Sequence, residues 1–181
     1  DTIDGKAGDD WLYRGADDDT LIGGTGNDTY VYMLGDGNDL IIDTSATGVE
    51  TDTLVFDALG SEDVTLKRSG ANEDGDDLIV TVNATGETIT IEDRFDVGNN
   101  DQGEGVEFIR FDDGVVVEVL GDAVTETITS GSAGADRLKG WGLVDTFYGG
   151  DGNDKIEGKG GDDVLIGEAG ADELRGDQGN D

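Results

Sequence analysis

A nine-residue period constrains this chain more than any other feature. Between Gly149 and Leu174 an aspartate recurs at Asp154, Asp163 and Asp172. A large aliphatic follows each by two residues (Ile156, Leu165, Leu174), and a glycine precedes each by two (Gly152, Gly161, Gly170). Neither the helical period nor the two-residue strand period produces such a repeat alone. With the aspartate at position six, one register runs through two blocks. The first holds Asp1, Asp10, Asp19, Asp28 and, after two inserted residues, Asp39. The second holds Asp136, Asp145, Asp154, Asp163, Asp172 and Asp181. Position eight is apolar in every case: Ile3, Leu12, Leu21, Tyr30, Ile41, Leu138, Phe147, Ile156, Leu165 and Leu174. With 34% hydrophobic residues in the chain, chance gives this at ten positions roughly twice in 100,000 trials. The net charge of -33 leaves disorder open on composition alone; the pattern argues against it.

Physically, the unit reads as a six-residue turn joined to a short strand. Glycine in the turn permits positive φ and close backbone approach. At positions seven to nine the middle side chain points one way and its flanks the other. Two units make one coil of a flattened roll, so same-side turns stack eighteen residues apart, with strands pairing in parallel at ~4.8 Å. Asp136, Asp154 and Asp172 then line one edge, and Asp145, Asp163 and Asp181 the other. In the first block Asp10 stacks with Asp28, while Asp1, Asp19 and Asp39 share the opposite edge. Such a gap suits a cation better than bare carboxylates. Histidine and cysteine are both absent, which leaves hard carboxylate and carbonyl oxygens, and these select calcium or magnesium. Flexible multi-carboxylate cages favour calcium. With 44 acids against 11 bases, nucleic acid is excluded as a natural partner and an anionic membrane is repelled. No apolar run of membrane-spanning length is present, so direct membrane insertion is not expected.

The segments GGTGNDTYV (Gly23 to Val31) and GGDGNDKIE (Gly149 to Glu157) match G-G-x-G-x-D-x-U-x, the calcium-binding nonapeptide of parallel β-helices. Both blocks resemble the RTX (repeats-in-toxin) family of secreted bacterial proteins. That resemblance implies Ca2+ held by position-six carboxylates and by backbone carbonyls of the turns. The candidate carboxylates are Asp10, Asp19, Asp28, Asp39, Asp136, Asp154, Asp163, Asp172 and Asp181. The candidate turn glycines are Gly8, Gly24, Gly26, Gly150, Gly152, Gly161 and Gly170. About four to six ions are expected, in the affinity range of extracellular calcium modules. The resemblance also implies an extracellular or cell-surface location and export through a type I secretion apparatus. Asp17 replaces glycine at position four before Asp19, and Leu143 and Val144 occupy positions four and five before Asp145. Occupancy is discounted at both turns, more strongly at Asp145.

The expected fold class is all-β: parallel β-roll (β-solenoid) blocks with an intervening, mostly antiparallel β module. The blocks span 1–43 and 127–181, and the middle segment 44–126 changes to a period of two. DTLVF (Asp52 to Phe56), DVTLKR (Asp63 to Arg68), DLIVTV (Asp77 to Val82), ETITIEDRF (Glu87 to Phe95), VEFIRF (Val106 to Phe111) and VVVEVL (Val115 to Leu120) read as strands. Turn residues such as Asp112-Asp113-Gly114 suggest antiparallel hairpins. The segment resembles the β-rich module that often follows RTX blocks, and is expected to cap the roll. Trp11, Tyr13, Ile22, Leu40 and Ile42 give the first block apolar outer faces, so the middle segment is expected to cover one of them. In the second block, Lys139, Glu157 and Arg175 are expected to form a cross-strand charge ladder. The acidic loops Asn72 to Asp77 and Asn99 to Glu104 are weaker ion candidates, with solvated loops the favoured reading.

No catalytic constellation is apparent: histidine, cysteine and a nucleophile elbow are all missing. The chain starts and stops in mid-repeat and is expected to be part of a larger secreted or surface protein (a toxin, an exported enzyme or an adhesin), whose other domains are its natural partners. An extender or ligand-binding segment of a calcium-dependent adhesin is the alternative reading. If the degenerate turn is judged correctly, Asp154→Ala should reduce the cooperativity of a calcium titration more than Asp145→Ala. Equal losses would show that the turn before Asp145 is as competent as the intact one.

Overall fold

The computed structural model describes residues 1–43, 50–68, 77–92, 105–120, 126–140 and 144–181. In the first block the turn-plus-strand units give β1 (Thr2–Ala7), β2 (Trp11–Leu12), β3 (Thr20–Thr25), β4 (Thr29–Met33) and β5 (Asp39–Ile42). Alternate strands fall on opposite sheets, because each turn carries the chain to the other side of the roll. β1 pairs in parallel with β3, setting Ile3 against Leu21, and β3 with β5, setting Leu21 against Ile41. On the other sheet β2 pairs in parallel with β4, setting Leu12 against Tyr30. These position-eight side chains meet in the core, where Leu12, Leu21, Tyr30 and Ile41 are buried. The two inserted residues, Tyr32 and Met33, lengthen β4. Tyr32 also turns inward, its one hydroxyl proton shared between Gly37 O at 3.2 Å and Glu87 at 3.0 Å.

The middle segment supplies β6 (Thr53–Asp57), β7 (Val64–Arg68), β8 (Leu78–Val82), β9 (Thr88–Ile91), β10 (Phe108–Arg110), β11 (Val116–Leu120) and β12 (Glu126–Ser130). Within itself it is mostly antiparallel: β7–β8, β8–β9, β10–β11 and β11–β12 all pair that way. Its joins to the first block are parallel instead, β6 on β4 and β9 on β5, and β10 lies parallel on β6. Hairpins alone therefore do not describe it. The open edge of a parallel roll offers a row of backbone donors and acceptors, and a parallel strand satisfies them with side chains in matching alternation.

The expected covering of a face falls partly on middle-segment residues outside the described ones. The described strands of the middle segment extend the sheets edge to edge instead of lying across the first block, and Trp11 remains 77% exposed. Ile22 and Ile42 are half-buried because they stand beside each other in the β3–β5 ladder.

The second block contributes β13 (Arg137–Lys139), β14 (Val144–Tyr148), β15 (Lys155–Gly160), β16 (Val164–Ile166) and β17 (Glu173–Gln178). β13, β15 and β17 form a three-stranded parallel sheet. β14 and β16 instead join β12, completing an eight-stranded sheet ordered β16-β14-β12-β11-β10-β6-β4-β2. Two antiparallel pairings in succession restore the strand direction, so β14 lies parallel on β12. The third sheet is six-stranded, β1-β3-β5-β9-β8-β7. Lys139, Glu157 and Arg175 do share one register, but the charges pair differently. Glu157 takes Lys159 at 2.7 Å, two residues along its own strand, and Arg175 takes Asp177.

Phe56 carries the junction between the first block and the middle segment. Its ring stacks on Phe111 at 5.2 Å and meets Tyr32 edge-on at 5.6 Å. Phe56→Ala should lower unfolding stability in the presence of calcium by about 3–5 kcal/mol, measured by urea denaturation. A loss below about 1 kcal/mol would mean that the two parts do not share one core.

Candidate metal centre

Most of the described nonapeptide turns are held by positive φ at positions two and four; the turn before Asp136, with Ser132 and Gly134 there, is not. Gly24 and Gly26 have φ of 103° and 126°, and Gly150 and Gly152 have 93° and 143°. Close approach adds to the demand for glycine: a Cβ on Gly26 would lie 2.5 Å from Gly8 O in the coil before. At position two several repeats place a side chain in the same left-handed region, at Lys6, Lys159, Glu168 and Asp177. Asp17 does so at position four, with φ of 89°. The unusual residue there bends to the turn rather than abolishing it, at a cost of roughly 1–2 kcal/mol.

The aspartates divide their two oxygens between two tasks. One oxygen accepts the backbone N–H of the same-side aspartate a coil earlier. Asp10 N donates to Asp28 Oδ1 at 2.8 Å, and Asp19 N to Asp39 Oδ1 at 3.0 Å. Asp136 N donates to Asp154 and Asp145 N to Asp163, both at 2.9 Å. Asp154 N donates to Asp172 at 3.0 Å, and Asp163 N to Asp181 at 3.1 Å. The aspartates thus stack in the pairs that eighteen-residue spacing predicts. In five of them the second oxygen is left bare: Oδ2 of Asp10, Asp19, Asp28, Asp154 and Asp163 is buried without a hydrogen-bond partner, whereas Asp136 Oδ2 accepts the Ser132 N–H at 2.7 Å.

Those bare oxygens converge on the glycine at position one. A Cβ on Gly5 would sit 2.8 Å from both Asp10 Oδ2 and Gly23 O; on Gly149, 2.5 Å from Asp154 Oδ2 and 2.7 Å from Gly167 O. Both of these gaps gather a carboxylate oxygen and a carbonyl oxygen from the neighbouring coil, all hard donors. An orphaned buried carboxylate oxygen is costly, and a calcium ion with oxygen ligands at 2.3–2.6 Å answers that cost. The residues present fit the ion. Asp172 is half-buried and Asp181 exposed.

Two degenerate turns differ in kind. At Asp19, position one is Arg14, whose guanidinium pairs with Asp1 and lies 3.7 Å from Asp19 Oδ1. A fixed cation thus stands beside that carboxylate. At Asp145, the strand starts early, with Val144 already in β14. Asp145 is nonetheless fully buried, and a Cβ on Gly140 would lie 2.5 Å from its Oδ2. Leu143 lies outside the described residues, as do the acidic loops apart from Asp77.

The ladder runs further than the nonapeptide pattern. Asp28 N donates to Asp52 Oδ1 at 2.6 Å, and Asp52 N to Glu107 at 2.8 Å. Both acids stand where position six falls in the parallel register of β4, β6 and β10. The signal was present in the sequence as two degenerate repeats: Glu107-Phe108-Ile109 follows Gly103 and Gly105 at positions two and four, with Gly105 at φ of 89°, but has glutamate for aspartate, and Asp52-Thr53-Leu54 keeps only Gly48 at position two. On the opposite edge the ladder ends, because the residue level with Asp39 in β9 is Ile89.

The comparisons with known proteins agree with this geometry. The family model of the RTX calcium-binding nonapeptide repeat matches residues 1–30, 130–156 and 148–181. That of the haemolysin-type calcium binding protein related domain matches residues 77–119. No curated protein matched the chain. Haemolysin-type RTX calcium-binding repeats thus form both ends of this chain, with a haemolysin-type calcium-binding-protein-related domain between them.

Burial raises the calcium-free pKa of Asp28 and Asp163, and takes Asp39 up to about 6. An unfolded aspartate loses its proton near 3.9. Across the window from there to about 6 the folded, calcium-free chain binds more protons than the unfolded one, so its stability falls as pH rises. Calcium competes with the same protons, so its affinity should move the other way. Calcium titrations at stepped pH should show weaker binding at pH ~5 than at pH ~7. An unchanged affinity would mean that these carboxylates are not the ligands.

Proposed function

We propose that this calcium-binding RTX module is a folding switch within a larger exported protein, disordered where calcium is scarce and folded outside the cell. The bare Oδ2 atoms buried in successive turns carry this reading. Without an ion, stacked carboxylates repel across each gap, and the glycine-rich turns have much conformational entropy to lose. With an ion, each independent site contributes about 1.4 kcal/mol at tenfold saturation. Extracellular calcium modules have Kd values of ~0.1–1 mM, so external calcium fills them and cytosolic calcium does not. Several sites filled together supply enough to decide whether a domain of marginal stability folds. Export through a type I secretion apparatus suits a chain that is unfolded before it leaves. The absence of cysteine suits maturation without disulfides. Among the described residues no side-chain constellation argues for catalysis.

Circular dichroism tests the switch. The calcium-free chain should be mostly coil and convert to β structure on addition of millimolar calcium. Magnesium at the same concentration should fail, because it demands tighter octahedral geometry. A β-rich spectrum in chelator would refute the mechanism.

A further inference from the structure

Where the first block ends, the geometry of the ladder changes. Asp28 precedes β4, Asp52 precedes β6 and Asp43 follows β5. One carboxylate oxygen from each lies within 4.8 Å of the other two. The three residues are 1%, 0% and 4% exposed respectively. Oδ2 of Asp28 and of Asp52 has no hydrogen-bond partner, their other oxygens being used by the backbone of Asp10 and Asp28.

Asp43 occupies a telling place in the register. Gly5 stands level with Gly23, between the pairs Asp4–Ile22 and Lys6–Gly24. One coil on, Ile22 pairs with Ile42, which brings Asp43 level with Gly23. A carboxylate therefore stands where two preceding coils have the position-one glycine. Its Oδ1 would lie 2.8 Å from a Cβ on Gly23, a point on which Asp28 Oδ2 and the Tyr30 hydroxyl also converge. Where the earlier gap offers a glycine carbonyl, this one offers a carboxyl side chain.

We propose that Asp28, Asp43 and Asp52 hold one calcium ion in a three-carboxylate clamp, distinct in kind from the repeat sites, that ties β5 of one sheet to β4 and β6 of the other. The inference rests on the calcium reading of the repeats. More ligand charge means tighter binding, so this ion is the first to bind and fixes the point where the middle segment joins the roll. Burial and then the Asp52 carboxylate push Asp43 up to about 8 in the calcium-free state, so the rival occupant is a shared proton.

Isothermal titration calorimetry on the full 181-residue chain separates the two. The wild type should bind one calcium ion at least about tenfold more tightly than the rest. Asp43→Asn should lose that ion and keep the others. Asp43→Gly restores the repeat's own residue, and should keep the ion count while losing the tight step. Wild-type count and affinities in Asp43→Asn would overturn the clamp in favour of the proton. No calcium uptake by the wild type would instead overturn the calcium reading itself. Terbium gives a check that does not depend on the Asp43 variants folding. The first equivalent should show aromatic-sensitised emission that Tyr30→Phe removes; emission insensitive to that substitution would place the first ion elsewhere and sink the proposal.

Discussion

Each coil of this roll rests on a carboxylate that is only half satisfied. The aspartate at position six accepts the backbone N–H of the aspartate a coil earlier, which fixes its side chain and sets the stacking register. That same bond fixes the direction of the second oxygen, which is turned into the gap beside the position-one glycine without a protein partner. The interaction that builds the ladder thus creates the demand for a cation. Stability and ion binding cannot be assigned to different residues here. A chain with net charge -33 has little reserve against further repulsion, which makes the dependence stronger.

The nine-residue period made the roll legible. It placed the inward aliphatics, the stacked aspartate pairs and the split of alternate strands between two sheets, because each follows from a turn of fixed length. Period two likewise exposed six strands of the middle segment. How those strands attach was not legible. Asp52 and Glu107 continue the ladder from degenerate repeats, one keeping only Gly48 of the turn glycines and the other having glutamate for aspartate, and the parallel pairing of β6 and β10 is what reveals it. Asp43 is invisible in the nonapeptide register, since it falls after the last intact strand and gains its meaning from standing level with Gly23. The charge ladder failed for a different reason. Lys139, Glu157 and Arg175 do share a register, but Lys159 reaches Glu157 from its own strand.

The degenerate turns show how the same backbone tolerates unlike residues. Asp17 adopts the left-handed conformation that glycine would take freely, and Arg14 brings a guanidinium to the carboxylates of Asp1 and Asp19. A covalently tethered cation does for one turn part of what a diffusible ion does for the others, independently of the calcium concentration. Variation in the repeat therefore changes how a gap is neutralised while leaving the coil intact.

The order of strands in the eight-stranded sheet follows the chain itself: β2, β4, β6, β10, β11, β12, β14, β16. No strand is inserted between two that are already paired, so the sheet can grow from either end by adding each new strand to an open edge. The six-stranded sheet departs from this only at β9-β8-β7, a meander that docks by its last strand. β7 and β8 thus reach β5 only through β9, whereas every other strand of the two sheets meets an edge left by strands before it. A chain that adds its strands in sequence order meets an open edge at every step of the eight-stranded sheet.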